Sequence, residues 1–315
     1  MSSYDVIILG GGPAGMSALL WCHSLNLRGL LLERSLDLGG QMLQMHHRIM
    51  DYPGLFGLTG QEMRYQFVEH LNELKLAWRA GCRIEGLDPA TRSLLCDGER
   101  LQAPALIVAT GARKRTLGVP GEEEFAARGV SFSGTRDHSL YAGKRVCVIG
   151  GGDSAIENSL ILSRVCPSVT LIHRSDRFRA RQSWLAAAQN TPSIRFLPNT
   201  ELVRIEGDKT VNRIMVREKV AGEEKPIETD AVFIKIGIAP NTESFAGRLA
   251  MDAEGYLQVD RRQRTSVEGV YAIGDVTRPV CFSIAAAVGQ GAIAVKEIAE
   301  TQRSATASSS LRSLA

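Results

Sequence analysis

The chain has no CxxC. Its six cysteines, at 22, 82, 96, 147, 166 and 281, are scattered, and none stands in a close-spaced metal-ligand pattern. No metal site is therefore expected. This cysteine usage fits a reducing cytoplasm, where thiols stay free. It neither requires nor excludes one functional disulfide between residues distant in sequence. An excess of one charge is also missing: Lys and Arg total 37 against 34 acidic residues, which gives no argument for nucleic acid or an acidic membrane as partner. No run approaches the ~18 continuous apolar residues of a membrane span. The first apolar strand begins almost at once, so no signal peptide is expected and a cytoplasmic location is.

What is present is a pair of glycine-rich loops, each after an apolar strand. Val6-Ile7-Ile8-Leu9 leads into Gly10-Gly11-Gly12-Pro13-Ala14-Gly15, and Val146-Cys147-Val148-Ile149 leads into Gly150-Gly151-Gly152-Asp153-Ser154-Ala155. A strand running into such a loop and then a helix cradles a dinucleotide pyrophosphate: glycines permit the tight turn and close backbone approach, and the helix N-terminus offers free N–H groups. Helices are predicted from Ala14 to Asn26 and from Ser154 to Val165. Second strands follow at Gly29 to Glu33 and Val169 to His173. Glu33 and His173 lie at matching offsets, where this fold reads the ribose. A chain of 315 residues accommodates two such domains. Between the cradles, Gln61 to Trp78 reads as an amphipathic helix with Phe67, Val68, Leu71 and Leu74 on one side. Strands are predicted around 105–108 and 231–234, a linker from Arg113 to Glu124, a return crossing at 238–247, and an Ala-rich helix from Ile284 to Glu300. Residues 302–315 read as a disordered tail. The fold class is α/β, with two Rossmann-like, three-layer domains and parallel sheets.

These motifs, with Gly39-Gly40-Gln41, Asp51-Tyr52-Pro53-Gly54, Ala109-Thr110-Gly111-Ala112, Glu157, His173-Arg174, Gly237-Ile238-Ala239-Pro240-Asn241 and Ala272-Ile273-Gly274-Asp275, resemble the low-molecular-weight thioredoxin reductase family of flavoproteins. The likeness runs to about residue 300. It implies an FAD domain in two pieces, 1–113 and 247–301, with an NADPH domain, 114–246, inserted between them. It also implies a homodimer and a rotation of the NADPH domain between two working positions. For FAD the resemblance points to Gly10, Gly12, Pro13, Ala14, Gly15, Glu33, Gly40, Gln41, Asp51, Ala109, Thr110, Gly111, Gly274, Asp275, Ser283 and Ile284. Glu33 is placed to accept from the adenosine ribose hydroxyls. Asp275 is placed to hold the ribityl chain, at the start of a helix aimed at the flavin; an N-cap role is its other reading.

For NADPH the residues are Gly150, Gly152, Asp153, Ser154, Ala155, Glu157, His173, Arg174 and Arg179. An acid at the ribose position would favour NADH, whereas arginines suit a 2′-phosphate through charge-assisted contacts. The family usually carries a second arginine where this chain has Ser175. One lost contact costs ~1.5–3 kcal/mol, roughly tenfold or more in affinity. Arg177 is close enough in sequence to compensate. A solvated basic turn is the other reading.

Family thioredoxin reductases carry a redox-active CxxC ahead of the second cradle. Here the matching segment is Gly129-Val130-Ser131-Phe132-Ser133-Gly134-Thr135-Arg136-Asp137, with Ser133 and Arg136 in the cysteine positions. Neither forms a thiolate or a disulfide. Cys281, in place of part of the family's Arg-Gln pair, is the thiol that the resemblance puts near the flavin; burial as a small hydrophobe is its other reading. His46 and His47 fall in a segment that passes close to the flavin in the family, where a histidine stacks on the ring or moves a proton; a polar loop is the alternative. Three functions are compatible. The leading one is an FAD-dependent oxidoreductase that takes electrons from NADPH and passes them, without the dithiol, to a ferredoxin- or flavodoxin-like protein or a small molecule. The second is a disulfide oxidoreductase acting on a thioredoxin-like partner through a relocated cysteine such as Cys281. The third is a two-cofactor or redox-sensing flavoprotein whose second cradle holds another nucleotide, such as a second FAD.

Overall fold

The structure, a computed structural model, describes residues 4–45 and 48–312, with side chains given as far as 304. The chain divides into two compact units: residues 1–113 with 239–315, and 114–238. The second boundary differs from the sequence expectation, which returned the chain to the first domain at 247. The strand Ile238–Pro240 pairs with Ala112–Lys114, so the return crossing is over as soon as that short ribbon ends.

The first unit is built on a five-stranded parallel sheet in the order Val270–Ala272, Ala105–Val108, Val6–Leu9, Gly29–Leu32, Trp78–Arg79. Side chains alternate across a strand, and here both faces are covered. Val6, Ile8, Leu31 and Ile107 pack with the helices, joining Met16, Leu19, Met63, Leu71, Val295 and Ile298. Ile7, Leu9, Leu30, Leu32, Leu106 and Val108 face the other way, against Leu87, Leu94 and Leu101. Those last three belong to an antiparallel sheet, Ile84–Asp88, Ser93–Cys96 and Glu99–Gln102, that forms the third layer. Each fully buried Ile, Leu or Val contributes roughly 1.5–3 kcal/mol, so continuous apolar strands are the natural sequence for this sandwich.

The helix Gly60–Glu73 starts at a capping box, with the Thr59 hydroxyl accepting from the Glu62 N–H at 3.3 Å and the Glu62 carboxylate accepting from the Thr59 N–H at 2.7 Å. It ends before the predicted Trp78. Lys75 adopts a left-handed φ of 51°, and Trp78 joins the sheet edge instead. The last helix runs from Ile284 to Arg312, well past Glu300, so residues 302–312 are helical rather than a disordered tail. No Gly or Pro follows Gly291 to stop the helix, which the low-complexity reading of that segment did not weigh. The helix Pro13–Ser24 lies close against it. Gly291 permits this, because a Cβ there would stand 2.8 Å from the Ala14 carbonyl oxygen.

The second unit repeats the plan. Its parallel sheet runs Ile194–Leu197, Ser168–Ile172, Arg145–Ile149, Ala231–Ile234, Val130–Ser131. Val146, Val148, Val169, Leu171 and Phe233 face the helices Asp153–Leu162 and Gln182–Gln189. Cys147, Ile149, Ile172, Val232 and Ile234 face Leu202, Ile205, Ile214 and Val216. The latter four come from the paired antiparallel strands Thr200–Gly207 and Val211–Glu218, the second of which also pairs with Glu224–Glu228. Neither antiparallel sheet was expected from the sequence; both are the cover that a two-faced parallel sheet requires.

Candidate active site: two dinucleotide cradles and a segment without sulfur

Both glycine loops follow the central strand of their sheet at its carboxyl end, where open α/β sheets bind ligands. Gly10 and Gly150 have φ of +113° and +149°. A Cβ would stand 2.3 Å from the Ala109 carbonyl oxygen in the first and 2.2 Å from the Lys235 carbonyl oxygen in the second. Only glycine fits such an approach. The next two helix-side positions are different. A Cβ on Gly12 or Gly152 would meet nothing within 4 Å, so each loop has open space in front of it, at a helix N-terminus.

Around the first cradle, the Glu33 carboxylate accepts the Gly11 N–H at 2.6 Å and the Ser35 N–H at 2.7 Å. It is thereby fixed at the wall of a cleft of about 710 Å³ whose lining includes Gly10, Arg34, Cys82, Arg83, Thr110, Asn241 and Arg248. Pro13, Ala14 and Gly15 open the helix beyond the loop. Thr110 donates its hydroxyl to the Asn241 carbonyl at 2.8 Å, and the Asn241 side chain donates to the Thr110 carbonyl at 2.7 Å, beside Gly111 at φ +67°. Gln41, in the short 3-10 turn that begins at Gly40, donates to Asp275 at 2.7 Å. Burial pushes the Asp275 carboxyl up, with the Gln41 bond opposing. Asp275 lies inside the 3-10 turn Gly274–Thr277 and is neither an N-cap nor the start of the long helix. That helix starts at Ile284, where the Ser283 hydroxyl accepts from the Ala286 N–H at 3.1 Å. Asp51 is exposed. His46 and His47 lie outside the described residues. The open cradle, the fixed Glu33 and the half-buried Asp275 fit a flavin dinucleotide.

In the second unit Ser154 and Ala155 open the cradle helix, with Glu157 exposed one turn on. Asp153 accepts from the Arg181 N–H at 2.7 Å and from its Nε at 3.0 Å, and Arg179 donates its backbone N–H to the Gly151 carbonyl at 2.7 Å. His173 is buried, its ring so close under the loop that a Cβ on Gly151 would be 2.3 Å from it. Ser175 lies 3.0 Å from the His173 Nε2, and the Phe178 ring centroid 4.9 Å from that of His173. Burial holds the His173 pKa below its ordinary value; a hydrogen bond with the Arg177 backbone opposes this, and the charges of Arg174 and Arg179 add to it. His173 thus supports the loop as a neutral ring, while the exposed Arg174, Arg177 and Arg179 carry the positive charge. That set fits an anionic ribose substituent.

The segment that precedes this cradle contains no sulfur, and its two key positions are occupied structurally. Ser133 caps the short helix Gly134–Asp137 by accepting the Arg136 N–H at 3.3 Å. The Arg136 guanidinium grips Asp137 through Nε at 2.5 Å and Nη2 at 2.6 Å, and the buried Asp137 also accepts from Ser131 at 2.6 Å. Burial would raise the Asp137 pKa; Arg136 and Ser131 outweigh it and hold the carboxyl low. Asn158 accepts the Gly134 N–H at 2.5 Å. Sequence reading missed Ser131, Asp137, Asn158, Lys114 and Lys235. A lysine directly after the apolar run Val232-Phe233-Ile234 was the available signal.

Five cysteines are buried, and burial pushes the Cys22, Cys96 and Cys147 thiols up to about 12. Cys82 and Cys96, which stand in no close-spaced pattern in the sequence, lie with Asp97 such that their donor atoms are within 4.8 Å of one another. Cys281 is exposed, which overturns its reading as a buried hydrophobe.

The model of the family described as pyridine nucleotide-disulphide oxidoreductase matches residues 4–291. The thioredoxin reductase of Bacillus subtilis is 36% identical over 297 residues, 94% of this chain and 93% of that protein. That of Mycolicibacterium smegmatis is 38% identical over 298 residues, 92% and 94% of the two. Among solved structures, thioredoxin reductase from Lactococcus lactis aligns with a TM-score of 0.74 at 33% identity, covering 95% of this chain and 98% of that one. The cofactors that go with this family are FAD and NADPH. Among the described residues no helix is long and apolar enough to cross a membrane. With matches that span both cradles, the chain belongs to the pyridine nucleotide-disulphide oxidoreductase family, as a relative of the thioredoxin reductases.

Proposed function

We propose that this protein is an FAD-dependent NADPH oxidoreductase that passes electrons to an external acceptor without a dithiol beside the second cradle. One observation carries the reading: Ser133 and Arg136 are built into a cap and a bidentate ion pair, so no sulfur chemistry is available where the related reductases are read to keep theirs. The bound flavin supplies the capacity to accept two electrons from the nicotinamide and release them singly or together. The chain's part is to hold and align the two nucleotides. Glu33, Thr110, Gln41 and Asp275 position the first; the Gly150 loop, Arg174 and Arg179 position the second. The acceptor is a small molecule or a ferredoxin- or flavodoxin-like protein, and the working form is a homodimer.

Anaerobic titration with NADPH, following flavin bleaching, tests this. Completion at two electrons per flavin supports it. Uptake of four favours the second reading, a relocated thiol, for which the exposed Cys281 and the adjacent Cys82 and Cys96 are the structural candidates. Cys281→Ser and Cys82→Ser then tell these apart. Release of two FAD per chain on denaturation would instead assign the second cradle to another flavin.

A further inference from the structure

We propose that Lys114, Lys235 and Arg136 form a seat for an anionic group, carboxylate or phosphate, at the carboxyl ends of the strands of the second unit. The inference rests on the reading that this position has exchanged its dithiol for another role.

Strand register places the seat. Leu9 pairs with Val108, and Ile149 with Ile234. Lys235 in the second unit is therefore the counterpart of Ala109 in the first, and each supplies the carbonyl that forces a glycine at the cradle. The chain has put a lysine where its own repeat has a methyl group, at the edge where a parallel sheet receives ligands. Phe132 follows the neighbouring strand Val130–Ser131. Lys235 donates its Nζ to the Phe132 carbonyl at 2.9 Å, and the Lys114 Nζ stands 5.3 Å from the Phe132 ring centroid. One residue thus anchors both ammonium groups.

Their charge is not balanced locally. Both lysines are half-buried, and among the described residues neither has a carboxylate within ion-pair distance. Asp137, the carboxylate that acts on Lys114, is already held by Arg136 and Ser131. Glu157, which acts on Lys235, is exposed. Burial lowers the pKa of both; Arg136 adds to the effect at Lys114, and Lys114 adds to it at Lys235. Clustered, partly desolvated cations are costly unless an anion joins them. Arg136 binds Asp137 through Nε and Nη2, one edge of its planar fork, and its Nη1 takes no part in that pair.

Two sources share this chemistry: a phosphate of the dinucleotide in the adjoining cradle, and an anionic acceptor that reacts there. Calorimetric titration of the flavin-loaded protein with inorganic phosphate and with citrate, in a chloride-poor buffer with and without saturating NADP+, separates them. We expect saturable 1:1 binding that Lys114→Gln and Lys235→Gln each weaken at least tenfold. Binding that survives NADP+ assigns the seat to a separate anion. Binding that NADP+ abolishes, and that both variants weaken without it, assigns the seat to the dinucleotide. Absence of binding by either anion, or binding unchanged in both folded variants, overturns the proposal. Flavin electron counting is independent of this result: two-electron uptake with no seat leaves the oxidoreductase reading standing, and four-electron uptake with a seat does the reverse.

Discussion

Arg136 donates its backbone N–H to the Ser133 hydroxyl at 3.3 Å, across the three-residue spacing that a CxxC disulfide would span. The same turn that brings two sulfurs together in a dithiol here forms a helix cap. Cysteines placed at these positions should therefore face each other. Ser133→Cys/Arg136→Cys is expected to add two titratable thiols, the first acidified by the helix N-terminus, and to raise NADPH uptake from two to four electrons. An unchanged electron count in the folded variant would contradict the register.

The second cradle offers a contrast between neighbouring glycines. A Cβ on Gly151 would collide with the His173 ring, whereas one on Gly152 would enter open space. Gly151→Ala should lower stability by about 1–3 kcal/mol through overpacking. Gly152→Ala should keep the melting temperature yet raise the NADPH KM at least about tenfold, or ~1.4 kcal/mol, because the methyl occupies the space for the pyrophosphate. Equal effects in both assays would argue against a ligand in front of Gly152.

Arg174 and Arg179 are exposed around the buried, neutral His173. Replacing either with Gln should weaken NADPH binding by ~1.5–3 kcal/mol and leave NADH binding nearly unchanged, since only the former carries the 2′-phosphate. Steady-state KM values for the two nucleotides provide the check. A parallel loss for both would point to a structural role.

Thiol reactivity should be uneven. Cys281 is exposed, while Cys22, Cys82, Cys96, Cys147 and Cys166 are buried. At pH 8 a thiol reagent should label one cysteine quickly in the folded protein and six after denaturation. Cys281→Ser should remove the fast phase.

Glu297 is 5% exposed and accepts from Arg262 at 2.7 Å and from Arg264. Burial works to raise its pKa, but the two arginines prevail and hold it below the ordinary 4.5. The carboxylate therefore adds stability that is fully present above pH 4.5 and lost as the pH falls through its folded value. Glu297→Gln should destabilise the protein by about 1–3 kcal/mol at pH 7, with the difference from the parent shrinking below pH 4.5. A difference that is constant across that range would rule out this linkage.

The cradles were legible because their chemistry is local. Gly10 and Gly150 need a positive φ, apolar four-residue runs precede them, and helices follow within three residues. The absence of a CxxC is likewise a property of the sequence alone. Element ends were less legible. The helix after Thr59 stops at Glu73 because Trp78 has a place in the sheet, which helical periodicity does not register. Both antiparallel sheets went unseen, since their strands Ile84–Asp88 and Val211–Glu218 mix charged and apolar residues and acquire their inward face only from the sheet they cover.

The sequence by itself determined that two dinucleotide cradles exist, that arginines accompany the second, and that sulfur is missing where related reductases are read to carry it. Each of these depends on residues within one turn or one loop. Only the tertiary structure decided that Lys114 and Lys235 gather around Phe132, that Cys82 lies beside Cys96, and that Cys281 faces solvent. These juxtapositions follow from strand order and register, which bring residues far apart in the chain to one edge of a sheet. No short-range pattern encodes them.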